Sequence, residues 1–147
     1  MGCPMGCPSG EMDQCEVIMK FMLLIYNDPQ RLDALPDGQF DASMRDCLAH
    51  ADDLREKGKL LESQMLEDAP TAKSVRLRNG RLTTTDGPFA ETKEVLGGFN
   101  LIEAEDMDEA VRIAAHFPWV TTGCVEIRPV RDIEMVREQV GAAAAHE

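Results

Sequence analysis

Lys20-Phe21-Met22-Leu23-Leu24-Ile25-Tyr26, closed by Asn27-Asp28-Pro29, is an apolar run of strand length. Successive side chains of a strand point to opposite faces, so Phe21, Leu23 and Ile25 face one way and Met22, Leu24 and Tyr26 the other. Both sets are apolar, which predicts burial on both faces. A single layer of helices covers only one face of a small sheet, so the second face needs another cover. A second copy of the chain supplies one, which makes a homodimer the expected assembly.

Outward from this run the chain reads as a short series of elements. Residues 41–57 predict a helix, with Asp41 or Ser43 as N-cap, Gly58 as the stop, and Met44, Cys47, Leu48, Ala51 and Leu54 as its inner face. Residues 59–65 read as a strand. Residues 74–78 and 81–85 flank Asn79-Gly80, the dipeptide preferred where both turn positions need positive φ, and so predict a β-hairpin. In that hairpin Leu77 opposes Leu82, while Arg76, Arg78, Arg81 and Thr83 share the other face. Residues 98–105 form the next strand, preceded by paired glycines. Asp106 and Glu109 have capping-box spacing and open a second helix, with Met107, Ala110, Val111 and Ala114 buried and Pro118 marking its end. Residues 123–130 form the last strand, and 132–140 a terminal helix before an alanine-rich tail at 142–145. The order β-α-β, hairpin, β-α-β is an α+β, ferredoxin-like plan in one domain.

Composition bounds the partners. The 147 residues carry a net charge of −12, of which the first eighteen contribute −3 through Glu11, Asp13 and Glu16. Such a balance repels a phosphate backbone and disfavours nucleic acid. No apolar run approaches the ~20 residues that span a bilayer, and the N-terminus lacks the layout of a secretory signal. The cytoplasm is the expected compartment. Residues 1–18 repeat Met-Gly-Cys-Pro and read as an unstructured extension. The five cysteines (Cys3, Cys7, Cys15, Cys47 and Cys124) are an odd set without framework spacing and read as free thiols. No His, Cys or carboxylate set has metal-ligand spacing, so neither a metal nor another cofactor is expected.

The residues 86–94, Asp-Gly-Pro-Phe-Ala-Glu-Thr-Lys-Glu, concentrate ionisable groups in a turn. Asp86, held at a strand end by backbone geometry, is the candidate catalytic residue, as a general base or ligand-orienting carboxylate. Glu91 and Lys93 are candidate ligand-binding residues of the same loop. On the last strand, Cys124, Glu126 and Arg128 alternate with Val125 and Ile127. If the latter pair faces the helices, Glu126 and Arg128 point to the opposite face, where with Tyr26 they are candidates for a small polar or anionic ligand. His50, His116 and His146 have ordinary structural readings. The arginine face of the hairpin offers a site for an anion or an acidic partner.

The Asp86-Gly87-Pro88-Phe89 turn with Glu91-x-Lys93-Glu94 resembles the signature of the DGPF branch of the YCII-related proteins. The resemblance continues through residues 96–104 and 123–130 and starts at 19–26, so it spans 19–131 and leaves 132–147 as a C-terminal addition. It implies a dimeric α+β barrel and brings no general activity. Catalytic proposals for YCII-type relatives rest on a histidine in the first helix and an aspartate at the end of the second; Cys47 and Phe117 stand at those positions here, with His50 one turn from Cys47. Two functional readings follow. One is a small-molecule enzyme or binder with a pocket near the turn and proton-transfer chemistry. The other is a non-catalytic regulatory or partner-binding module, since the resemblance associates such proteins with extracytoplasmic-function sigma factors.

Overall fold

The computed structural model describes residues 18–143; the expectations for the N-terminal extension with Cys3, Cys7 and Cys15, for the second half of the alanine-rich tail, and for His146 lie outside it. Strands β1 (Met19–Asn27), β2 (Leu60–Met65), β5 (Val95–Ala104) and β6 (Gly123–Pro129) form one antiparallel sheet in the order β2-β5-β1-β6. Strands β3 (Lys73–Arg78) and β4 (Arg81–Asp86) form a separate two-stranded hairpin between β2 and β5. With helices α2 (Gln39–Glu56) and α3 (Met107–Ala115) as the two crossovers, this is the α+β, ferredoxin-like plan the sequence implies.

Phe21, Leu23 and Ile25 of β1 are buried against Ala51 and Leu54 of α2 and Ala110, Ile113 and Ala114 of α3. Phe117 and Trp119, around the 3-10 turn Pro118–Val120, close the same core. Val125 and Ile127 of β6 pack on it as well, so the last strand is oriented as its alternation implies. Met44 and Cys47 join the core edge, but Leu48 is 56% exposed, lying roughly a quarter turn from the stripe's centre. In α3 the buried residues are Ala110, Ile113 and Ala114, and the expected Met107 and Val111 are exposed. The stripe is centred on Ala110, Ile113 and Ala114, and Met107 and Val111 flank it on one side at helical spacing.

Local chemistry explains the boundaries. The N-cap of α2 is Gly38 at φ +80°, not Asp41 or Ser43, and the helix therefore starts two residues earlier, with Asp41 in its first turn. At its end Gly58 takes φ +75°, its N–H donating to Arg55 O at 3.0 Å and that of Lys59 to Leu54 O at 2.9 Å, a Schellman closure. Helix α3 carries the first half of the expected capping box, Asp106 Oδ1 accepting the Glu109 N–H at 2.9 Å, while Glu109 Oε1 reaches one residue past the N-cap to accept the Glu105 N–H at 2.7 Å. A short helix α1 (Pro29–Asp33) is an addition to the expected elements. Its signal is Asp28-Pro29, an N-cap aspartate before a proline at the first helical position, with Asp28 Oδ1 accepting the Gln30 N–H at 3.0 Å.

Strand β5 begins at Val95, so the paired glycines lie inside it rather than before it. A Cβ on Gly98 would stand 2.7 Å from Gln64 O of β2, which is why this position takes no side chain. The hairpin has the expected register, Leu77 opposite Leu82 and Arg78 opposite Arg81, with Asn79 at φ +53° and Gly80 at φ +74°. Helix α4 (Ile133–Val140) follows β6 with Asp132 as its N-cap. No helix among the described residues is long and apolar enough to cross a membrane.

Candidate functional site

The sheet has one face under helices and one without them. On the second face Met22 is opposite Leu101 and Arg128, Leu24 opposite Phe99 and Glu126, and Tyr26 opposite Leu96 and Cys124. Met22, Leu24, Tyr26, Phe99 and Leu101 are all only half-buried, so in a single chain the doubly apolar β1 has its second set of side chains partly in water. Lys20 opposite Glu103 ends this face at one side, and Glu62 and Gln64 of β2 line it beyond β5. These rim residues share the two-residue period of β1 but escaped the sequence reading, because their cross-strand register was not legible.

Tyr26, Glu126 and Arg128 therefore meet on one surface. The Tyr26 phenol is held above its ordinary pKa, chiefly by loss of solvent and then by the charge of Glu126 and a hydrogen bond to it, with Arg128 opposing. At neutral pH the phenol is a protonated donor facing a carboxylate. Arg128 adds, two residues along the same strand, a planar cation suited to a carboxylate or phosphate. Cys124, exposed, completes this polar end.

Asp86, Glu91 and Lys93 belong to the hairpin and the loop that leaves it. The Asp86 side chain is 84% exposed and lies 2.5 Å from the Lys73 ammonium, its cross-strand partner. The turn that follows folds back along β3. Gly87, at φ +93°, donates its N–H to Ala72 O at 2.6 Å, and its own carbonyl accepts from the Ser74 hydroxyl at 2.9 Å. Arg76 donates to Phe89 O at 3.2 Å. The turn is thus held by backbone and by β3 side chains, and one of the three expected hairpin arginines is spent on it. Glu91 and Lys93 are exposed. Lys93 stands two residues before Val95, which opposes Asn27, the neighbour of Tyr26. The topology so brings this loop to the end of the sheet where Tyr26 lies, with Glu126 and Arg128 two and four residues further along β1.

Cys47 and Phe117 occupy a different place, under α2. The Trp119 indole donates to Cys47 Sγ at 3.3 Å, and burial raises the thiol's pKa while that hydrogen bond partly lowers it. Phe117 is fully buried, with the His50 ring 4.5 Å away edge-on. His50 Nε2 is 3.0 Å from Ile113 O, and exposed His116 has Nδ1 2.8 Å from Arg112 O. Both imidazoles are engaged with helix carbonyls, in keeping with their structural reading. A shallow depression of about 260 Å³ beside α4, lined by Arg131, Asp132, Met135, Val136 and Gln139, contains none of the candidate residues. No group of three or more potential metal ligands occurs among the described residues.

A four-stranded antiparallel sheet in this order, helices on one face and a polar cluster on the other, defines a small ferredoxin-like α+β domain whose free face holds the distinctive chemistry. The family model for the YCII-related domain matches residues 19–134, and the chain belongs to that family. An uncharacterised protein of Rhizobium meliloti (strain 1021) is similar to it, 36% identical over 114 residues that cover 76% of this chain and 92% of the relative.

Proposed function

We propose that this chain binds a small ligand with an apolar body and an anionic group on the free sheet face, and that two copies stacked face to face enclose it. The observation that supports this is the setting of Tyr26, Glu126 and Arg128 on a surface otherwise built from Met22, Leu24, Phe99 and Leu101. Pockets of this composition, mostly apolar with a few converging polar groups, are where small molecules bind. Arg128 pairs with the anionic group; Glu126 takes a proton and Tyr26 returns one, the arrangement needed for a proton transfer on the ligand. Asp86 contributes a second carboxylate, and Glu91 and Lys93 a polar rim, from the loop that arrives at the Tyr26 end of the sheet. The Asp86–Phe89 turn also supports placing the chain in the DGPF branch of its family.

The test is a thermal-shift screen of wild type, Tyr26→Phe, Arg128→Gln and Asp86→Asn against aliphatic and aromatic monocarboxylates. A ligand at 100 times its dissociation constant stabilises by about 2.7 kcal/mol, a readily measured shift. The shift is expected in wild type and Tyr26→Phe, lost in Arg128→Gln and reduced in Asp86→Asn; a full shift in Asp86→Asn removes Asp86 from the site. A wild type that no carboxylate stabilises, or an Arg128→Gln variant that keeps the full shift, would sink the reading.

A further inference from the structure

We propose that the apolar face of the β3–β4 hairpin is covered by the acidic body of a second copy of this chain. Val75, Leu77 and Leu82 lie on one face of the hairpin and are 62%, 62% and 68% exposed. The hairpin pairs with no strand of the main sheet. Two strands alone in water are marginally stable, and a hairpin that holds its register usually packs its apolar face on something. The opposite face already has a cover where Ser74 and Arg76 hold the Gly87–Phe89 turn. Among the described residues nothing covers the Leu77 face.

Charge selects that surface. Residues 73–86 hold Lys73, Arg76, Arg78 and Arg81 against Asp86 alone, a net +3, in a chain of net −12, so the rest of the chain carries −15. A basic arm on an acidic body is complementary to the body of another copy. It is equally repelled by any partner of its own sign. Anchoring comes from the three apolar side chains, while the arginines at the Asn79-Gly80 tip steer and orient. This contact is distinct from face-to-face stacking of the main sheets and does not depend on it.

Sedimentation over a dilution series, paired with hydrogen exchange of residues 73–86, tests the proposal on the full chain. Hairpin amides are expected to be protected at high concentration and to lose protection as the protein is diluted. The dissociation constant should rise about tenfold or more from low to high salt, because screening weakens the charged part of the contact. Leu77→Asp combined with Leu82→Asp should abolish the concentration dependence. Arg78→Glu combined with Arg81→Glu, which leaves the apolar face and turn intact, should weaken it in the same direction. Protection that is independent of concentration, or absent at every concentration, overturns the proposal and points to another occupant. Leu24→Asp on the free sheet face separates the two interfaces. Association lost there but untouched by both hairpin variants refutes hairpin docking and leaves sheet stacking. Association lost with the hairpin variants but kept in Leu24→Asp does the reverse, loss in all three supports both contacts, and retention in all three refutes both.

Discussion

The Lys59 ammonium lies 2.6 Å from Oε2 of Glu109, tying the start of β2 to the first turn of α3 across the fold. Glu109 also accepts the Glu105 N–H through its other oxygen, so one carboxylate closes a helix cap and a tertiary ion pair. Its pKa is lowered, first by the hydrogen bond from Lys59 and then by that from Glu105, with burial working against both. A carboxyl whose folded pKa is depressed stabilises above its unfolded value, and that stability fades as pH falls through the folded pKa. Glu109→Gln is expected to lose about 1.5 kcal/mol at pH 7, the low end of the range for a hydrogen bond to a charged group. The loss should shrink towards zero in acid below the folded pKa. Urea titrations of both proteins at neutral and acid pH measure it, and an undiminished difference in acid would show that packing rather than charge is responsible.

Three glycines of the sheet should rank by what a methyl group would meet. On Gly123 it would overlap the Tyr26 carbonyl and crowd Asn27 Cα at 2.7 Å; on Gly98 it would stand 2.7 Å from Gln64 O; on Gly97 it has ordinary contacts from 3.8 Å. Gly123→Ala should be the most damaging, Gly98→Ala should cost about 1–3 kcal/mol as overpacking does, and Gly97→Ala should be the mildest. Melting temperatures of the three variants give the order directly. Equal effects at Gly97 and Gly123 would contradict the β1–β6 geometry.

The hydrogen bonds from Ser74 and Arg76 hold the Asp86–Phe89 turn without contributing to the core. Ser74→Ala with Arg76→Ala should speed tryptic cleavage after Lys93 several-fold while the melting temperature moves little. Asp86→Asn, which removes only an exposed ion pair with Lys73, should change stability by less than about 1 kcal/mol. Limited proteolysis followed by mass spectrometry reads the first effect. Unchanged cleavage in the double variant would mean the turn is held by its backbone alone.

Cys47 and Cys124 should differ in reactivity. Burial raises the Cys47 pKa, against a smaller lowering by the Trp119 indole, so it stays a thiol at neutral pH; Cys124 is exposed on the free sheet face. Iodoacetamide should label Cys124 at least tenfold faster than Cys47 in dilute protein, with the difference abolished in urea. Slowing of Cys124 labelling at high concentration would report closure of the sheet face. Fast labelling of native Cys47 would contradict the packing of α2 against the Pro118–Val120 turn.

Sequence alone determined the strands, the three longer helices and their order, because short-range chemistry sets them, though not helix α1. The Asn79-Gly80 turn, the Asp106–Glu109 cap, the Gly58 stop and the alternation of β6 each act within a few residues. The strand at 20–26 also announced, through its two apolar sets, that the sheet has a second face to cover. Leu48 and Val111 were misplaced since a helix's apolar residues do not say where the neighbouring element ends. Only the tertiary structure decided that β1 lies between β5 and β6 and in what register β6 pairs with it, which sets Glu126 against Leu24 and puts Tyr26, Glu126 and Arg128 on one surface while leaving Asp86 on an exposed hairpin. Cross-strand register is fixed by burial summed over the whole sheet, and no window of sequence contains that sum.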